Sequence, residues 1–227
     1  MALRFAELMF TPAVKAEQKR HGSRASYARA ERPEAPPRDR FGPVEAAFIA
    51  ARDSFYIVSV TETGWPYVQH RGGPLGFLKV LDERTLGFAD FRGNRQYVSL
   101  GNLKGDDRVA LFLMDYPNRR RLKVLGHARE VDAVDEPELV AKLADPGYGA
   151  VVERGIVITL EGFDWNCSQH ITPRFTEPEV RAAVAPLLER LHAVEAERDA
   201  LAARLEAAGL GRGEGGDGVR LPVSSPP

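Results

Sequence analysis

A single cysteine, Cys167, in 227 residues leaves no intrachain disulfide framework and favours a reducing compartment. No stretch approaches the ~20 apolar residues of a membrane span, and the opening MALRFAELMF lacks a signal-type apolar run. Charge of one sign is also missing: 31 Lys+Arg against 32 Asp+Glu gives −1, so no bulk field draws the chain to nucleic acid or a membrane surface. The expectation is a cytoplasmic protein with no membrane and no nucleic-acid partner. No G-x-S-x-G, H-E-x-x-H or Walker sequence occurs. The G-x-G-x-G-G run at Gly211–Gly216 follows no strand and lies in a Gly/Pro/Ser tail, which makes it a linker. The cluster Arg119-Arg120-Arg121 with Lys123 suits one phosphate or a solvated rim better than a duplex, because nothing extends it into a stripe.

What is present falls into four parts: an arm and linker (1–43), a β-rich body (44–175), a heptad-patterned helix (176–208) and a tail (209–227). The arm is expected to hold one helix around Pro12–Arg20, then an extended, proline-bearing connector over Glu31–Pro43. Such an arm wraps its own subunit or a partner, or is disordered. The body opens on a helix at Val44–Ala51. Strands are expected at Phe55–Val60, Trp65–His70, Phe77–Leu81, Thr85–Asp90, Arg108–Tyr116, Arg121–Asp132 and Gly155–Phe163, with short helices at Asn94–Asn102 and Glu136–Ala144. A βαβ layout would need longer helices between most strands. The expected class is therefore mainly β (α+β): a six-stranded antiparallel split β-barrel.

Beyond the body, Val180, Val184, Leu187, Leu191, Val194, Arg198, Leu201 and Leu205 step by fours and threes, an a/d seam of about four heptads. The seam fits a two-stranded coiled coil across a dimer, or a helix laid along its own barrel. The first is favoured, because the stripe is narrow and the other face is Arg, Glu and Ala.

The richest segment is Trp65–Leu103. It runs strand, turn, strand, helix, with Arg71, Arg92 and Arg95 at the joints. A helix start offers free N–H groups and a positive dipole end, and arginine adds forked charged donors, so the segment suits a phosphorylated aromatic ligand. Each candidate has a plainer reading. His70 and Arg71, beside Gly72-Gly73, are site residues or an exposed strand end. Asn94 and Arg95 are a phosphate grip or a helix cap and a surface charge. Cys167 and His170 are a thiolate–imidazole pair or half of a metal set, and neither has its remaining partners in the sequence. Trp165 is core or a stacking wall.

These elements, in this order, resemble the pyridoxamine 5′-phosphate oxidase-like family of flavin-binding split barrels, in an uncharacterised bacterial branch. The resemblance rests on R-D-S-F-Y…G-W-P-Y-V-Q-H-R-G-G (Arg52 to Gly73), L-G-F-A-D-F-R-G-N-R-Q-Y (Leu86–Tyr97), R-R-L-K-V-L-G-H-A-R (Arg120–Arg129) and D-W-N-C-S-Q-H-I-T-P-R-F (Asp164–Phe175). It implies a homodimer with FMN in clefts between subunits, and an oxidoreductase acting on a small molecule, with NAD(P)H as a candidate donor. It also implies that Gln69, His70 and Arg71 line the flavin ring and that Phe88 and Ala89 touch the cofactor from the next strand. Arg95 holds the phosphate, Asn94 stands where the oxidase often has another arginine, and Arg121 stands where glutamine is frequent. Trp165 and Arg174 serve the site from the partner. His70, Arg71 and His170 are the implied catalytic groups, polarising substrate or stabilising a reduced, anionic flavin. The family's Arg-Leu-His signature for the vitamin B6 substrate is replaced by Gln169-His170 and Arg174-Phe175, which argues against that substrate. A non-catalytic flavin- or haem-binding protein is the alternative, and the deazaflavin F420 is an alternative to FMN.

Overall fold

A computed structural model describes residues 3–165 and 168–210. The chain divides into two compact units, the first running to Arg174 and the second from Phe175.

In the first unit, α1 (Arg4–Met9), α2 (Pro12–Arg20) and α3 (Arg24–Tyr27) precede a 3-10 turn at Ala28–Glu31. The one helix expected around Pro12–Arg20 is α2; α1 and α3 flank it, and Gly22, at φ 74°, separates α2 from α3. The arm lies on its own body. Arg4 donates to Glu161 at 2.6 Å, the Phe163 N–H donates to the Arg38 carbonyl at 3.0 Å, and Phe41 enters the core. α4 (Pro43–Ala50) follows, with Phe48 and Ile49 buried.

Seven antiparallel strands form one sheet in the order β2-β1-β5-β6-β7-β4-β3. They are β1 (Ser54–Val60), β2 (Pro66–Gly72), β3 (Lys79–Asp82), β4 (Thr85–Phe91), β5 (Arg108–Asp115), β6 (Arg120–Val131) and β7 (Val152–Trp165). The expected count of six is corrected to seven: the short β3 pairs with β4 around a bulge at Leu81 and forms an edge of its own. α5 (Val98–Gly105) and α6 (Pro137–Leu143) bridge strands. Along β5, Val109, Leu111 and Leu113 are buried while Ala110, Phe112 and Met114 are only half-buried, so this strand alternates instead of being covered on both faces.

The sheet curls. Three strands separate β1 from β4 in the sheet order, yet the rings of Phe55 (β1) and Phe88 (β4) lie 5.3 Å apart, edge to face. Phe77 stacks on Phe55 at 5.5 Å, and Leu86, Leu111, Leu122, Val124, Ile158 and Leu160 fill the same core. One side of a sheet can enclose one core only by wrapping round it, and β2 and β3 remain unpaired edges, which is the form of a split barrel. A bulge at Glu161 of β7, opposite Leu125 and Gly126 of β6, lets the strands turn. A Cβ at Gly126 would lie 2.4 Å from the Thr159 carbonyl oxygen, so only glycine fits there.

The second unit is α7 (Glu177–Ala207), 31 residues long. Thr176 caps it reciprocally with Glu179. None of its residues is buried.

Candidate functional site

Alternation along β2 sorts the sequence candidates. Gln69 and Arg71 point to the side where β4 ends and α5 begins; His70 points to the other side, against the Tyr56 ring at 5.6 Å. The Ser99 hydroxyl donates to Gln69 Oε1 at 2.8 Å, fixing the first turn of α5 to β2. Arg71 reaches across the split and donates to Asp90 Oδ1 at 2.6 Å; Asp90 Oδ2 also accepts from Arg154 at 3.3 Å. This pair joins β2, at one edge of the sheet order, to β4, the strand next to the other edge.

A cavity of about 240 Å3 opens at this junction. Gln69, Arg71, Asp90, Asn94, Arg95 and Tyr97 line it, with the first turn of α5 (Val98, Ser99, Leu100) and Glu153 of β7. Three features distinguish this cavity. The N-terminus of α5 opens into it without a side-chain cap, since Tyr97 stands at the cap in a left-handed conformation (φ 53°) and makes no capping bond. Arg95 also has a positive φ (62°), so two non-glycine residues in three hold a costly backbone beside the cavity. Arg71 Nε is buried without a hydrogen-bond partner, an orphan donor in the lining. Among the described residues Arg95 makes no ion pair; its Nε donates to the Tyr97 hydroxyl at 3.3 Å.

The sequence candidates fall in several places, and the expected helix start is corrected. The helix starts at Val98 instead of Asn94, and Asn94 Oδ1 accepts from the Gln96 N–H at 3.2 Å, closing a local turn upstream of it. Phe88 and Ala89 are buried in the core at 1% and 2% exposure, so β4 meets the cavity through Asp90 and Phe91. The glycines after Arg71 do not open ligand space: a Cβ at Gly73 would lie 2.8 Å from the Phe77 ring, which fills it. Arg121, Trp165, Arg174 and His170 do not line the cavity. Trp165 donates to Glu45 at 2.8 Å beneath Arg120, and Arg174 lies over Tyr116 at 4.8 Å; Arg119, Arg120, Arg121 and Trp165 line a second hollow of about 310 Å3. Cys167 lies outside the described residues.

Sequence reasoning missed Asp90, Tyr97 and Glu153. Asp90 carried a signal, an acid amid the apolar run Phe88–Phe91. Glu153 carried none, because its place depends on the β4–β7 register, which sets Asp90 opposite Arg154. The cavity is thus less basic than expected, with two acids among its walls. Burial opposes ionisation of Glu153, but the Arg92 hydrogen bond, Arg154 and Tyr97 outweigh it and hold its pKa below the ordinary 4.5.

The same sign recurs at Glu161, held low by the Arg4 hydrogen bond, at Glu136 by Arg129, and at Asp106, brought to about 2 by Arg108. A carboxyl whose folded pKa is depressed contributes stability above its unfolded value, which is lost as pH falls through the folded one. Asp164, raised by burial, has the opposite sign, and it is outnumbered. The thermal midpoint of the body is therefore expected to fall steadily from about pH 4.5 towards pH 2. A flat midpoint over that range in a calorimetric series would refute these ion pairs.

The curled sheet with its two unpaired edges defines a split β-barrel protein. The sequence model of the family described as pyridoxamine 5′-phosphate oxidase matches residues 42–160, and the chain belongs to that family. Solved structures similar to it include HupZ of Group A Streptococcus (13% identity, 60% of this chain and 100% of that one, TM-score 0.46). A putative pyridoxamine 5′-phosphate oxidase of Lactobacillus delbrueckii is similar at 20% identity, over 56% of this chain and 94% of that one, TM-score 0.43. An FMN-binding protein of Syntrophomonas wolfei is similar at 14% identity, over 54% and 83%, TM-score 0.43. No curated protein matches the chain. Among the described residues no helix is long and apolar enough to cross a membrane, and no group of three or more His, Cys, Asp or Glu is placed to hold a metal.

Proposed function

We propose that the protein binds FMN at this cavity and serves as a flavin-dependent oxidoreductase on a small molecule. The uncapped start of α5, facing Arg95, carries the reading: free N–H groups and an arginine that makes no ion pair among the described residues fit a phosphate. Arg71, with its orphan Nε, is the donor for the ring system, and Gln69, held by Ser99, orients it. The bound flavin supplies reversible acceptance of a hydride or of electrons. Arg71 favours the negative charge that reduction leaves on the ring by proximity of a cation.

A cavity of about 240 Å3 is smaller than the roughly 300–1,000 Å3 that encloses a whole small ligand, so a second copy supplies the remaining wall. The outer face of β2-β1-β5 supports this homodimer. Tyr56 and Val68 are exposed there, and the register sets them beside Phe112, Val58 and Ala110, an apolar patch that also carries His70. The lack of any histidine in the cavity lining favours a second reading, a flavin binder without turnover.

Titration of the apoprotein with FMN tests the phosphate assignment. Arg95→Ala is expected to raise Kd roughly 10- to 100-fold, the effect of losing a hydrogen bond to a charged group, while riboflavin, lacking the phosphate, binds both proteins alike. Equal FMN affinity would place the phosphate elsewhere. Anaerobic mixing of the holoprotein with NADH or NADPH separates the two readings: loss of flavin absorbance supports the enzyme, and no loss with either donor supports the binder.

A further inference from the structure

Beyond its Thr176 cap and surface pairs such as Arg181–Glu177, α7 buries none of its residues. A helix in water gains most of its stability from packing an apolar face, yet none of its 31 residues is buried, and Pro186 removes one of its internal hydrogen bonds. Val180, Leu187, Leu191, Val194, Leu201 and Leu205 are 46% to 69% exposed. They form a strict a/d stripe, with Val180, Leu187, Val194 and Leu201 at d and Val184, Leu191, Arg198 and Leu205 at a. A helix covering a globular body needs a broader apolar face, whereas a stripe this narrow is the seam of a two-stranded coil. Pro186 falls at a c position, away from the seam.

We propose that α7 pairs with α7 of a second copy of this chain, antiparallel. Charge selects both the occupant and the direction. In a parallel pair every a residue meets itself, and two Arg198 guanidinium groups would face each other inside the seam. In the antiparallel register that sets Leu191 against Val194 of the other copy, each Arg198 packs against a Leu187 and the two charges separate. The same register matches Val184 with Leu201 and Val180 with Leu205, so every seam residue has a seam residue opposite it. The flanking g positions then bring Arg190 beside Glu197 twice over, an opposite-charge pair, and no like charges meet. The seam is thus complementary to its own reversed copy. This inference rests on α7 alone and stands apart from the flavin reading.

Cysteine cross-linking in the full-length protein tests it, with Cys167→Ser as background. Positions 184 and 201 are about 25 Å apart along one helix, so no disulfide can form between them within a chain. Under mild oxidation at low micromolar protein, Val184→Cys alone should give no covalent dimer, and Val184→Cys with Leu201→Cys should give one. A covalent dimer from Val184→Cys alone would overturn the antiparallel direction. No covalent dimer from either variant would overturn the pairing. Adding Leu187→Glu and Leu191→Glu to the double-cysteine protein should abolish the cross-link and lower the helical circular dichroism, while an unchanged melting transition of the β-rich body, measured in parallel, shows that the body is folded. A cross-link that survives these changes counts against the seam.

Discussion

Asp90→Ala is expected to destabilise the body by about 3 kcal/mol, roughly 6–12 °C in Tm. Asp90 is 5% exposed and is the acid on which Arg71 and Arg154 converge. Their fates differ once it is gone. Arg154 keeps Glu130 at 3.0 Å and Glu153 at 3.3 Å, whereas Arg71 loses its one acid partner among the described residues and already has an orphan Nε. A cation left largely buried and unpaired is the costly outcome; the attraction that has been removed matters less. Asp90→Asn keeps an acceptor for Arg71 and should lose only about 1 kcal/mol. The double variant Asp90→Ala with Arg71→Met should recover much of the loss, because it removes the stranded charge. Denaturant melts of the four proteins decide the matter: a double variant no more stable than Asp90→Ala would show that something other than the stranded charge sets the cost. Since Arg71 and Asp90 join β2 to β4 across the split, the same pair fixes the cavity wall and the barrel's closure.

Local patterns made most of the elements legible in the sequence. The alternation in Phe55–Val60 and the turn Thr61–Gly64 specify the β1–β2 hairpin, which pairs Ser54 with Gly72 through Val60 with Pro66. Thr176 ahead of Glu179 specifies the start of α7. The start of α5 was misplaced because Asn94, a good cap by type, bonds two residues ahead in a local turn, and the true cap, Tyr97, has no capping chemistry. Of the cavity's lining, the part that one strand or loop carries was legible, as with Gln69, Arg71 and Arg95. It was not legible where register and curl carry it. Nothing in the sequence brings Glu153 beside Arg92, or Asp90 to Arg71, since these contacts depend on how far the sheet wraps.

Phe88→Ala is expected to cost about 3–5 kcal/mol, much of the margin that holds a domain of this size together. The ring is 1% exposed, 5.3 Å from Phe55 and 6.4 Å from Phe77, and the Arg71 guanidinium lies over it at 5.9 Å. Removing it leaves a void at the point where the curled sheet meets itself, and neighbours on separate strands cannot close on it together. The resemblance casts Phe88 as a cofactor contact; its burial makes it a support beneath Arg71. The two roles diverge in Phe88→Leu, which keeps most of the volume and should lose no more than about 1.5 kcal/mol. As a support, Phe88→Leu should leave FMN affinity within about twofold of the parent while the melting temperature falls. A contact to the flavin ring predicts the reverse, a stable protein that binds FMN at least tenfold more weakly. The reverse result would mean that β4 presents Phe88 to the ligand and that the core in this region repacks when the cofactor binds.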